Sequence, residues 1–352
     1  MFPRIIISEK KLKSNIDLLI SKCKGHGISI MGISKVFAGN LPLLEILKKS
    51  GVSYIGDSRI KNLKKITDCD IPKVLIRLPM ISEIEDVIDY VDISFNSEIP
   101  TISQLNDLAA SKNTRHKIVL MVDLGDLREG VLAKDVDEIV NIINDMKNID
   151  LVGIAVNLTC YGGVIPSSKN LGELVEIKNK IEKIISRKLE IVSGGNSSSL
   201  FLLEKDNIPN GVNNLRLGES IAIGRETAYG KKIEESHDDV FILQAEIIEI
   251  RNKPSVPRGE IGMDAFGNTP VFEDRGIRRR AILAIGKQDV SHEEIIPLDK
   301  EIIILGSSSD HLIIDITDSN EEYRVGSIVD FKLTYSSLLS VMTSKYVEKK
   351  ML

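Results

Sequence analysis

The chain has 352 residues, with 46 Lys plus Arg against 51 Asp plus Glu and a formal net charge of −5. A content of 42% hydrophobic and 28% charged residues excludes a disordered chain, and the acidic balance speaks against sequence-independent nucleic-acid binding. No run approaches about 18 apolar residues, which excludes a spanning helix and a membrane role, and the three dispersed cysteines Cys23, Cys69 and Cys160 form neither a disulfide framework nor a thiolate zinc cluster.

The N-terminal run MFPRIIIS is too short for a signal peptide, so the expected location is the cytoplasm. Ser8 to Cys23 follows as a helix, with Leu12, Ile16, Leu19 and Ile20 on one face. Eight strands are expected next: Ile28–Ser34, Ser53–Gly56, Lys73–Leu78, Val91–Phe95, Lys117–Val122, Leu151–Leu158, Leu189–Val192 and Asn214–Leu217. Helical patterns lie between them, among them Leu41–Lys49, Val136–Met146 and Leu171–Ile185. Strands that alternate with helices build a parallel sheet, and eight such units fit a closed (β/α)₈ TIM barrel over residues 1–234 better than an open sheet. Residues 235–352 change texture. Val240–Arg251, Arg280–Ile285, Glu301–Leu305, His311–Ile316 and Ile328–Leu333 alternate apolar and polar residues with no helical pattern of comparable length between them. They predict an all-β second domain.

The C-terminal ends of barrel strands carry active sites. Lys35 follows the first strand directly, in MGISKVFAGN. It reads either as an exposed loop lysine or as a nucleophile whose pKa burial lowers. The seventh strand ends in SGGNSSS, a turn that suits an anion as well as it suits solvent. Arg216 lies between Leu215 and Leu217, and an arginine that points into a barrel needs a partner, such as a ligand or Glu219. Arg128 stands beyond the fifth strand, and Asn157, Thr159 and Tyr161 at the end of the sixth. A lysine, a glycine and serine loop and two arginines on one rim suit pyridoxal 5'-phosphate (PLP).

SKVFAGN, VDLGDLREGV, SGGNSSS, LRLGE, AIGKQD and GSSSDH occur in an order that resembles the alanine-racemase-like PLP enzymes, fold type III, and within them the ornithine racemase branch. The resemblance covers essentially the whole chain. It implies a PLP-binding barrel followed by a β domain, and an amino-acid racemase that interconverts L- and D-ornithine, with lysine as a possible secondary substrate. It implies that Lys35 holds PLP and acts as one base at Cα, and that Arg216 faces the pyridine nitrogen. Asn196, Ser197, Gly218, Glu219 and Tyr335 match the phosphate region, and Arg128 the substrate carboxylate. Asp310 falls in a loop that a partner subunit contributes in a head-to-tail homodimer.

Four positions depart from the alanine racemase pattern. Lys287 stands where the opposite-face tyrosine is expected, and is read either as the second base or as a solvated lysine, with Tyr346 as another candidate. Asn157 replaces the histidine that stacks on the cofactor ring, Met121 a lysine carbamylated in some members, and Gly39 a tyrosine. A distal ammonium on the substrate calls for carboxylates such as Asp289, Asp310 or Glu219. The rival readings are a basic amino-acid decarboxylase of the same fold, a non-catalytic PLP-binding regulator, and a barrel enzyme without PLP. A metal hydrolase fits least, because the five histidines form no ligand-spaced pair.

Overall fold

In a computed structural model, which describes residues 1–264 and 266–352, the chain divides into two compact units. One comprises Lys10–Asp238, the other Met1–Glu9 together with Asp239–Leu352. The strands in chain order are β1 (Arg4–Ile7), β2 (Ser29–Ile33), β3 (Tyr54–Asp57), β4 (Lys73–Leu75), β5 (Ile93–Asn96), β6 (His116–Asp123), β7 (Val131–Leu132), β8 (Ile149–Val156), β9 (Ile191–Ser193) and β10 (Asn214–Leu217). Then come β11 (Phe241–Pro254), β12 (Ile277–Leu283), β13 (Ile295–Pro297), β14 (Ile303–Ser307), β15 (Leu312–Asp315), β16 (Ile328–Leu333) and β17 (Glu348–Met351).

In the larger unit, β2, β3, β4, β5, β6, β8, β9 and β10 pair in parallel, and β10 returns to β2, with Leu217 opposite Gly32. Each expected strand falls on one of these eight, and the barrel is closed. The barrel core gathers Met31, Ile33, Phe95, Val119, Met121, Val152 and Ile191, buried residues of β2, β5, β6, β8 and β9 whose side chains pack together. Helices cover the outside. The helix Ser168–Ile184 starts where Ser167 accepts from the Asn170 amide at 3.2 Å and Asn170 Oδ1 accepts from the Ser167 amide at 2.8 Å, a reciprocal cap that places its first turn.

The smaller unit is one sheet in the order β13-β16-β11-β12-β15-β14, with β1 bridging β11 and β17. It differs from the expectation in three ways. Residues 1–9, expected with the barrel, lie here, because β1 pairs antiparallel with β11, Ile5 opposite Leu243. The strand β17 pairs in parallel with β1. A helix, Tyr335–Thr343, interrupts the strands, started by Thr334 Oγ1, which accepts from the Ser337 amide at 3.3 Å. No helix among the described residues is long and apolar enough to cross a membrane.

Candidate active site

The rim at the C-terminal ends of the barrel strands is rich in buried polar groups. Five adjacent strands, β6, β8, β9, β10 and β2, supply most of it, and β3 supplies a sixth position.

Arg216 on β10 is 4% exposed and crosses β9 to reach β8. Its Nη1 donates to Ser193 Oγ at 2.7 Å, and its Nη2 to the Val156 carbonyl at 2.8 Å and to Asn157 Oδ1. Its guanidinium carbon stands 5.4 Å from the centroid of the Phe95 ring, a cation–π approach from the barrel core. Burial pushes its pKa down to about 10, with Cys160 and Glu129 acting upward and Arg128 downward, so it stays charged at neutral pH.

Lys35 opens a single tight turn, Lys35–Phe37, directly after β2. The turn is anchored one residue earlier, where Ser34 Oγ donates to the buried Asp57 carboxylate at 2.6 Å. Asp57 ends β3 and also accepts from the Arg59 amide at 2.8 Å. Burial raises the Asp57 pKa and these hydrogen bonds oppose the rise. Burial lowers the pKa of Lys35; Cys160 counters this, Arg128 adds to it, and Glu219 counters it. A lowered pKa makes the free amine, the form that acts as base and nucleophile, easier to reach than in an exposed lysine.

Glu219 begins the short helix Glu219–Ile223 after β10, one residue past Gly218. A Cβ on Gly218 would lie 3.0 Å from Ile33 Cβ, so glycine lets this turn close onto the end of β2, two residues before Lys35. Burial pushes the Glu219 pKa up to about 7 against the pull of Lys35. Next to it, Ser220 donates its amide to Ser197 Oγ at 3.2 Å, and Ser197 Oγ donates to Ser220 Oγ at 3.0 Å. Asn196 accepts from the Ser198 amide at 2.8 Å and donates to the Leu158 carbonyl at 3.0 Å, which fixes the glycine and serine turn.

Arg128 sits in the loop after β6. The loop folds back so that β7 pairs in parallel with the end of β6, and Gly130 permits the return at φ +137°. A Cβ there would meet the Asp123 amide nitrogen at 2.5 Å. Arg128 donates to Glu129, which also accepts from Asn157. Asp126, 1% exposed, accepts from the amides of Tyr161 at 3.0 Å, Val164 at 3.3 Å and Cys160 at 3.4 Å. That clamp sets the loop from which Cys160 reaches Asn196, 3.4 Å from Nδ2 to Sγ.

The larger unit therefore brings together Lys35, Arg128, Asn157, Asn196, Ser197, Arg216, Gly218 and Glu219 at one end of the barrel. Lys287, Asp310 and Tyr335 belong to the smaller unit. There the Lys287 amide donates to the Ser308 carbonyl at 2.9 Å, its Nζ stands 3.9 Å from the Phe266 ring centroid, and Asp310 accepts from His311 at 2.8 Å. Lys287 and Asp310 thus share one pair of loops, and Tyr335 opens the helix Tyr335–Thr343. Asp289, expected to meet a substrate ammonium, is 4% exposed and accepts from Ser344 Oγ at 2.5 Å. Residue-by-residue reading passed over Asp57, Asp126, Glu129, Cys160, Ser193 and Ser220. The acids flanking Arg128 in GDLREG were the visible signal for two of them.

A closed parallel barrel with a desolvated lysine and two arginines on its C-terminal rim defines an enzyme site. Residues 7–225 match the family model described as alanine racemase, N-terminal domain. The chain is 48% identical over the whole length of both proteins to an ornithine racemase of Acetoanaerobium sticklandii. It is 40% identical, over 99% of this chain and 98% of the relative, to a lysine racemase of Thermotoga maritima. In fold it is similar to the alanine racemase of Streptomyces lavendulae, with a TM-score of 0.75, 13% identity and 100% and 98% of the two chains covered. This chain belongs to the alanine racemase family.

Proposed function

We propose that this protein is an amino-acid racemase that interconverts L- and D-ornithine, with lysine as a secondary substrate, and that it works with pyridoxal 5'-phosphate in the cytoplasm. The observation that carries the reading is Lys35, desolvated on the rim within electrostatic reach of Arg128 and Glu219, its turn anchored through Ser34 and Asp57. The near-full-length relatives, an ornithine and a lysine racemase, support the substrate class.

The residues present fit the cofactor chemically. Lys35 is an amine for its carbonyl. Asn196, Ser197, Gly218 and Glu219, joined by Ser220, form a turn of hydroxyls and amides for its phosphate. Asn157 and Arg216 would face the ring, and Arg216 is fixed by three partners. When bound, PLP supplies an electron sink for charge that develops at Cα. Arg216, protonated near neutral pH and held in place, would act toward the cofactor as a hydrogen-bond donor and not as an acid. Lys35 takes and returns the proton on one face. Arg128 holds the substrate carboxylate. We assign the opposite face to Lys287, and to Tyr335 a contact with the phosphate from the second domain; Asp310 lies in the loop that the partner contributes in a head-to-tail homodimer.

Borohydride treatment followed by peptide mapping tests the cofactor, and optical rotation with ornithine, lysine and alanine tests the substrate. We expect label on Lys35 and ornithine as the fastest substrate. Lys35→Ala should lose the label and lower turnover by roughly 10³-fold or more. Label elsewhere overturns the role of Lys35, and preference for alanine overturns the substrate.

A further inference from the structure

A continuous line of hydrogen-bonded groups crosses the rim. Arg128 donates from Nε and Nη2 to the two carboxylate oxygens of Glu129, the latter at 2.6 Å. The same Glu129 oxygen that receives Nη2 also accepts from Asn157 Nδ2. Asn157 Oδ1 in turn accepts from Arg216 Nη2. The remaining Arg216 contacts end on Ser193 and Val156. One carboxylate thus joins the arginine of the β6 loop to the arginine buried on β10. The line runs from open to closed: the Arg128 side chain is 43% exposed, that of Glu129 18%, and Arg216 is 4% exposed.

We propose that Glu129 is a positioning residue, whose carboxylate aims Arg128 at the carboxylate of the substrate and, through Asn157, locks Arg128 and Arg216 into one unit. The inference rests on the reading of Arg128 as the substrate carboxylate's partner. A guanidinium presents two edges for a bidentate partner. Glu129 takes the Nε–Nη2 edge, which leaves the Nη1–Nη2 edge for a second partner and fixes its plane. Without that carboxylate a long side chain is free to rotate, and ordering it on each binding event costs affinity. Glu129 also stands between two like charges. Burial opposes the charge on each arginine, and Glu129 acts upward on both pKa values. Asn157 is the neutral link, donating from Nδ2 to the acid and accepting at Oδ1 from the buried arginine.

The test compares two ligands on the holoenzyme by the change each makes in the cofactor's absorption. One is ornithine at enantiomeric equilibrium, and the other is 1,4-diaminobutane, which is ornithine without its carboxylate. Glu129→Gln keeps the shape and removes the charge. It should raise the apparent Kd for ornithine roughly tenfold or more, while the diamine stays within about twofold of wild type. Glu129→Asp, one methylene shorter, should fall between. With Arg128 already replaced by alanine, adding Glu129→Gln should change ornithine binding by less than about twofold, because the two act on one contact. Unchanged ornithine binding in Glu129→Gln overturns the positioning role, and so does equal weakening of both ligands. A wild-type holoenzyme that responds to the diamine and not to ornithine overturns the substrate reading itself, a separate failure.

Discussion

Glu182 and Glu219 stand at opposite ends of the same barrel, and their surroundings drive them apart. Glu182 lies at the N-terminal end, where the helix Ser168–Ile184 turns toward β9. Burial works against its charge, yet Lys178 at 2.9 Å, Lys188 at 2.8 Å and the Leu189 amide at 3.0 Å outweigh burial and push its pKa down to about 2. Glu219 lies at the C-terminal end, where burial prevails over a single lysine and pushes the pKa up to about 7. Glu182 has its charge satisfied and contributes to the fold. Glu219 is left with its charge unsettled next to a desolvated amine, an arrangement associated with chemistry.

Three substitutions would break or sharpen this contrast. Arg216→Met should have the largest effect, because it leaves Ser193, the Val156 carbonyl and Asn157 Oδ1 without a buried donor. We expect a loss of roughly 3 kcal/mol in denaturant unfolding. A loss near zero would show that the upper network carries no structural weight at all. Glu182→Gln should cost about 2 kcal/mol at pH 7. Its folded pKa lies below the unfolded value of about 4.3. Wild-type stability from this group is therefore present above that pH and fades as pH falls toward about 2. The variant should lose that fading, which unfolding curves at pH 7 and pH 2 would reveal. Glu219→Gln should have the smallest effect and the opposite sign. Its folded pKa is raised, so its contribution is fully present below about pH 4.3 and is lost as pH rises through about 7. The cofactor-free variant should be more stable than wild type by about 1 kcal/mol at pH 8, with no difference near pH 4. Equal stability at pH 8 would show that Glu219 is solvated and the two ends are alike.

Much of the barrel was legible because eight apolar runs recur between helical patterns, and strand period and strand spacing are local properties. Lys35 and Arg216 were legible for the same reason, since each breaks an apolar run at a strand end. The strand β1 was not. Its four residues, Arg4–Ile7, gain their partner from Phe241–Gln244, and no local signal reports a pairing that distant. The helix Tyr335–Thr343 starts in a cluster of Ser and Tyr that looks like a loop until the Thr334 cap is seen. Asp126 and Glu129 were hidden differently. Their types were plain, but their work depends on Asn157 and on the amides of Cys160, Tyr161 and Val164, which folding brings to them. Arg128 was singled out for its charge, and the acid that aims it stood next in the chain.

The clamp on Asp126 makes the 160–164 loop a cooperative element. Three amides share one carboxylate, so none of them opens alone at a small cost: when the carboxylate leaves, all three lose their acceptor together. Amide exchange in this loop should therefore switch between protected and open in a single step, and Cys160, carried on it, would enter or leave the rim with that step.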